Sequence, residues 1–118
     1  MYDILLKNAY LVDGNRSMYG DLAIKNGLII RIDSNIDPSS SIDVIDANYK
    51  LVIPGIIDTH VHISSWLGGR FGHKMLALSG ITTAFDFAGP VDTVWDMAKK
   101  YGKGLNICAL NYVRPEYT

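Results

Sequence analysis

The chain has 118 residues, 48% hydrophobic and 19% charged, with a formal net charge of −1. That is globular composition with enough length to bury one usable core, and it argues against disorder. No basic stripe appears, which argues against nucleic acid and against anionic membrane surfaces as partners. Cys108 is the single cysteine, so no internal disulfide can form and a reducing compartment fits. The opening MYDILLKNAY lacks a cationic region followed by an unbroken apolar run, so it does not read as a signal peptide. No apolar run approaches the ~20 residues needed to cross a bilayer. A soluble, cytoplasmic protein is expected.

In chain order, the first half reads as β. ILLKNAYLV is a strand-length apolar run interrupted by Lys7 and Asn8. DLAIKNGLIIRI supplies two short strands around Asn26-Gly27. Asn-Gly between apolar runs predicts a hairpin, because a type I′ turn needs positive φ at both central positions. DSNIDPSSS carries turn chemistry in Asp33, Asn35, Asp37, Pro38 and a serine run. SIDVID then alternates apolar and polar residues, as a strand with one wet face does. Residues 1–53 are expected to form a small antiparallel sheet layer.

From Leu51 the texture changes. LVIPGII is apolar without alternation, as a strand buried on both faces would be. Phe71, Met75 and Leu78 follow at i, i+4 and i+7, and Gly80 then stops the segment, which predicts a short helix. ITTAFDFAG is β-branched and aromatic, a second strand ended by Pro90. Asp92 is a plausible N-cap for a second helix with the stripe Val94, Ala98 and Tyr101. Lys99 and Lys100 fall in its last turn, where cations suit the helix dipole, and Gly102 and Gly104 close it. LNICALNYV is a third strand. The order β-α-β-α-β predicts a parallel sheet.

The chemistry gathers in PGIIDTHVHI, where two of the chain's three histidines stand one residue apart. Alternation along a strand puts Ile56, Asp58, His60 and His62 on one face, the two histidines roughly 6.5–7 Å apart at Cα. Two neutral imidazoles at that spacing can converge on one ion, and Asp58 could orient a liganding ring or bond backbone nearby. The pair falls at the carboxyl end of its strand, before Ser64, Ser65 and Gly68-Gly69, the end that carries chemistry in parallel α/β folds. A catalytic zinc site usually has three protein ligands, so the pair alone is incomplete. His73 reads as a surface or packing residue. Asp86 could face the same pocket or bond loop backbone. Asn111 could bind a polar substrate group or form a turn. Arg70 reads as a solvated loop residue and Cys108 as an inert core thiol, while Trp66 could wall a pocket or lie buried under a loop.

PGIIDTHVHI resembles the hallmark of the amidohydrolase superfamily, which ends the first strand of a (β/α)8 barrel. MYDILLKNAYLVDG, GDLAIKNGLIIRID and VIDANYKLVIPG are similar to the β segment that precedes the barrel in cyclic amidohydrolases. SGITTAFDFAGP resembles the second-strand motif of dihydroorotases and hydantoinases. The resemblance implies an α/β chain with two parts: residues 1–53 from a small β-sandwich domain, and residues 54–118 as the first three strands and two helices of an incomplete TIM-barrel catalytic domain. It implies a divalent metal, zinc in most of the family, held by His60 and His62 with Asp58 in support. The metal would activate water against a small cyclic or N-acylated amide; the parent protein is open to homo-oligomerisation.

A complete barrel needs about 250 residues, so the chain reads as an N-terminal fragment whose catalytic base lies on a later strand, and which is inactive alone. Ile63, Ser64, Ser65 and Trp66 stand where the dihydroorotase pattern carries a substrate-contacting arginine, which argues against that activity. An aminohydrolase acting as a deaminase is the runner-up. A noncatalytic α/β module, with the histidines as relics, is the alternative from another class. A dinucleotide-binding domain is disfavoured, since HVHISSWLGGRFG lacks the G-x-G-x-x-G spacing.

Overall fold

The computed structural model describes residues 1–63, 68–101 and 104–111. Ser64, Ser65 and Trp66 of the expected small-residue loop, and Gly102 at the expected helix stop, lie outside the described residues. The chain divides into two compact units, Met1–Pro54 and Gly55–Thr118.

The first unit is one five-stranded sheet. Its strands are β1 (Tyr2–Val12), β2 (Ser17–Lys25), β3 (Leu28–Asp33), β4 (Ser41–Asp46) and β5 (Leu51–Val52). The hairpin forms where Asn-Gly predicts it: Lys25 pairs Leu28 across Asn26 (φ 52°) and Gly27 (φ 75°). The expectation of a purely antiparallel layer is corrected, because β4 and β5 both run parallel to β1. The DSNIDPSSS segment, with a 3₁₀ turn at Pro38–Ser40 capped by Asp37, carries the chain back to the start of β1, where Ser41 pairs Tyr2. The single wet face expected of SIDVID is corrected too. Ile42 and Val44 on one face and Ile45 on the other are all exposed, so within this unit neither face of β4 is covered.

Lys7 and Asn8, which interrupt the apolar run, form a β-bulge. Between the pairs Leu6–Leu22 and Ala9–Gly20, β1 advances three residues while β2 advances two, and Asn8 takes φ 53°. Strict alternation would put Ala9 on the face of Leu5; the extra residue shifts the frame by one. Ala9 and Leu11 pack instead with Leu22 and Ala47, beside Leu6, while Leu5 packs with Ala23 and Ile36 in a separate cluster. The bulge also needs new partners for its backbone. Asp21 takes the Asn8 N–H on Oδ1 at 2.9 Å and the Ile36 N–H on Oδ2 at 2.7 Å, and Lys7 Nζ donates to the same Oδ2 at 2.6 Å.

The second unit has β6 (Ile56–Val61), β7 (Ile81–Asp86) and β8 (Asn106–Ala109) in one parallel sheet, with α1 (Gly69–Leu78) and α2 (Val91–Tyr101) as connections. The predicted β-α-β-α-β order is therefore present. The continuous buried strand expected of LVIPGII is not. Leu51 and Val52 join the first unit's sheet, and β6 starts after Pro54, which has no N–H for a ladder. Ile56 and Ile57 on β6 are exposed.

The core of this unit joins Val61, Ala84, Val94, Leu105 and Ile107, with Ile63, Leu76, Ile81 and Ala109 against it. α2 buries Val94 and Ala98 of its predicted stripe, with Asp92 inside the first turn and not at the cap. α1 reverses its expectation: Phe71, Met75 and Leu78 are exposed, and Gly69 and His73 are buried. The reason is steric. A Cβ on Gly72 would lie 2.8 Å from the Ile63 Cβ, so the helix approaches Ile63 through its smallest residue. Arg70 is exposed, in the first turn of α1 and not in a loop, and Cys108 is a half-buried free thiol, not a core one. Among the described residues no helix is long and apolar enough to cross a membrane.

Candidate metal centre

The two histidines stand at the carboxyl end of β6. His60 is on the strand and His62 follows it, both exposed. Their Nε2 atoms are 3.1 Å apart and their ring centroids 5.1 Å apart. Without an ion, one Nε2 carries a proton and the other accepts it. With both nitrogens deprotonated, their lone pairs would repel at this distance unless a cation lay between them. Two Zn–N bonds of about 2.0–2.1 Å at a tetrahedral angle separate the nitrogens by about 3.3 Å. The observed spacing fits that donor pair. Among the described residues no group of three or more His, Cys, Asp or Glu side chains gathers to hold a metal.

Asp58 supports the pair through the backbone. Its Oδ1 accepts the His60 N–H at 3.1 Å. The shared face expected from strict alternation is broken by a bulge: Asp58 pairs Ala84 and Val61 pairs Asp86, so β6 advances three residues while β7 advances two. The carboxylate thereby holds the main chain at the bulge, fixing where the first imidazole starts.

Two further sequence candidates stand on or beyond the neighbouring strands. Asp86 is fully buried beside Val61, in the layer facing α1, and its Oδ1 accepts the Ala88 N–H at 2.8 Å. This bond to loop backbone was one of the two roles its position suggested. Its charge acts on His73, which is buried on α1. Burial pushes the His73 pKa below its ordinary value, and the Asp86 carboxylate opposes that shift. Asn111 was read as ending the third strand; it lies two residues beyond the end of β8, exposed.

Phe87 is the residue that sequence reasoning passed over. Its ring lies on His60 with centroids 4.3 Å apart and an interplanar angle of 17°, and it stands 6.2 Å from His62. The one available signal was its place in AFDFAG, directly after the second strand.

No family model matches the chain. Known proteins do. The chain is 36% identical over 94 residues to a dihydropyrimidinase from Dictyostelium discoideum, an alignment covering 74% of the chain and 19% of that protein. It is 36% identical over 90 residues to an allantoinase from Bacillus velezensis, covering 72% of the chain and 20% of the relative. The L-hydantoinase (dihydropyrimidinase) from Arthrobacter aurescens superposes with a TM-score of 0.77 at 25% identity, over 94% of the chain and 28% of that structure. An N-acyl-D-glutamate deacylase from Bordetella bronchiseptica, solved with zinc and a phosphonate inhibitor, shares the fold. Its TM-score is 0.69 at 21% identity, over 93% of the chain and 29% of that structure. The chain spans about a fifth of the length of the curated relatives it matches.

Proposed function

Because the chain belongs to the amidohydrolase superfamily, with cyclic amidohydrolases as its homologues, we propose that it is the metal-binding opening of a hydrolase of C–N bonds other than peptide bonds, acting on a small cyclic or N-acylated amide. On this reading residues 1–53 contribute to a small β-sandwich domain. Residues 54–118 are the first three strands and two helices of a (β/α)8 barrel.

The observation that carries the proposal is the His60–His62 pair, with Nε2 atoms 3.1 Å apart at the carboxyl end of a parallel strand. Relatives named for dihydropyrimidine, allantoin and hydantoin hydrolysis support a cyclic amide over other substrates. A neighbour of the same fold solved with zinc supports zinc as the ion.

A divalent ion bound here would supply Lewis-acid polarisation of the amide carbonyl and an acidified water. His60 and His62 would hold it through Nε2, each as the neutral tautomer protonated on Nδ1. Asp58 keeps the His60 main chain in place through its bond to the N–H. The described residues offer two ligands and no convergent general base, so the 118 residues alone are read as inactive, with the base on a further strand.

Calorimetric titration of the purified chain with zinc tests this. One equivalent should bind, and His60→Ala or His62→Ala should each weaken binding at least about tenfold. Zinc affinity unchanged in both variants would overturn the ligand assignment. Hydrolysis of hydantoin by the chain alone would overturn the assignment of the base to another strand.

A further inference from the structure

The stacking of Phe87 on His60 has a backbone origin. The Phe87 N–H donates to the Val61 carbonyl at 2.9 Å, and Val61 is the residue between the two histidines. Phe87 is thus tied to the centre of the pair by main chain, with its ring on the same side as both imidazoles. The segment that presents it is fixed from within. The Asp86 carboxylate takes the Ala88 N–H at 2.8 Å, and the Asp86 carbonyl takes the Leu110 N–H at 3.2 Å. Asp86 itself is fully buried, opposite the buried His73 of α1. The ring therefore sits on a platform that two neighbouring strands and a buried carboxylate hold still.

An exposed imidazole otherwise turns freely about its last side-chain torsion, which has broad minima. Each orientation lost on metal binding weakens the site, and orientation fixed beforehand strengthens it.

We propose that Phe87 is a positioning residue for the metal pair: its ring, presented by the Asp86–Ala88 turn, confines His60 to the rotation that aims Nε2 at His62. This rests on the reading of His60 and His62 as ligands. Phe87 touches neither metal nor substrate in this role. It acts through His60.

The test compares the 118-residue chain with Phe87→Leu, which keeps an apolar side chain, and Phe87→Tyr, which keeps the ring. In the metal-free proteins, the His60 ring-proton resonances should be shifted by the Phe87 ring current in the parent and in Phe87→Tyr. In Phe87→Leu they should move to free-imidazole positions, while the buried His73 resonances stay put and show the fold intact. Zinc affinity by calorimetry should fall about tenfold in Phe87→Leu and stay within about twofold in Phe87→Tyr. If His60 is unshifted in the parent, or if Phe87→Leu binds zinc as tightly as the parent, the positioning role is overturned and the ligand reading survives. If His60→Ala leaves zinc binding unchanged, the ligand reading fails and this role fails with it.

Discussion

Asp21 shows how one carboxylate holds a local irregularity in place. Burial opposes its ionisation, but the Lys7 ammonium and the N–H groups of Ile36 and Asn8 outweigh burial and hold its carboxyl below the ordinary value of 3.8. A group whose folded pKa is depressed stabilises the fold fully above its unfolded value, and that stability is lost as pH falls through the folded one. Asp21→Asn should destabilise the chain by about 3 kcal/mol at neutral pH, because it leaves Lys7 largely buried without its counter-charge. In urea titrations the gap between parent and variant should narrow well below pH 4; a gap independent of pH would remove Asp21 ionisation as the cause. At this scale the closeness of the two histidine rings was legible from spacing alone. The bond from the His60 N–H to Asp58 was not, because it depends on a one-residue bulge that alternation does not encode. Phe87 was missed for a related reason. Stacking depends on the register between β6 and β7, which the residues of one strand do not specify.

Among elements, the ones with local signals were the readable ones. Asn26-Gly27 dictates its turn through its own φ preferences, and Lys99 and Lys100 fall in the last turn of α2 as dipole arguments place them. What failed were inferences about faces and partners. The apolar stripe Phe71–Met75–Leu78 has helical period, yet α1 packs through Gly69, Gly72 and His73. Periodicity finds a helix; it does not say which stripe meets the sheet when small residues permit a closer approach. Gly72→Ala separates these effects. Helix propensity alone favours the alanine by about 1 kcal/mol. Its Cβ would instead meet Ile63 Cβ at 2.8 Å and Ile63 O at 3.1 Å, contacts close to backbone that cannot swing away. The variant should lose about 1–3 kcal/mol in thermal or urea unfolding and bind zinc more weakly, since Ile63 adjoins His62. A stabilised Gly72→Ala would show that the helix can retreat without strain.

For the molecule as a whole, the two units carry different acid sensitivities. In the second unit, burial depresses the His73 pKa below 6.5 against the opposing charge of Asp86, so stability is full above that value and is lost as pH falls beneath it. In the first unit, Asp21 keeps its contribution until pH falls past 3.8. Amide spectra recorded from pH 7 downward should lose the Ala84 and Ile107 signals of the second unit before those of Leu5 and Ala23. Simultaneous loss would mean the units unfold as one. The β-then-α/β division of the chain was legible because local texture changes near Leu51. The parallel placement of β4 and β5 was not, since it depends on where a connecting segment delivers the chain.

That placement has a consequence for synthesis. β1, which leaves the ribosome before the four strands that complete its sheet, lies in the interior of that sheet, with β2 along one edge and β4 and β5 sharing the other. The β2–β3 hairpin can close as soon as it emerges, but the second edge of β1 stays open until β4 reaches Tyr2–Lys7 and Leu51 and Val52 then reach Tyr10 and Leu11. Until then the nascent chain presents an apolar strand with one open edge, the state in which edge-to-edge pairing with other chains begins. The DSNIDPSSS segment lengthens that wait, because it must be made before β4 can pair with β1.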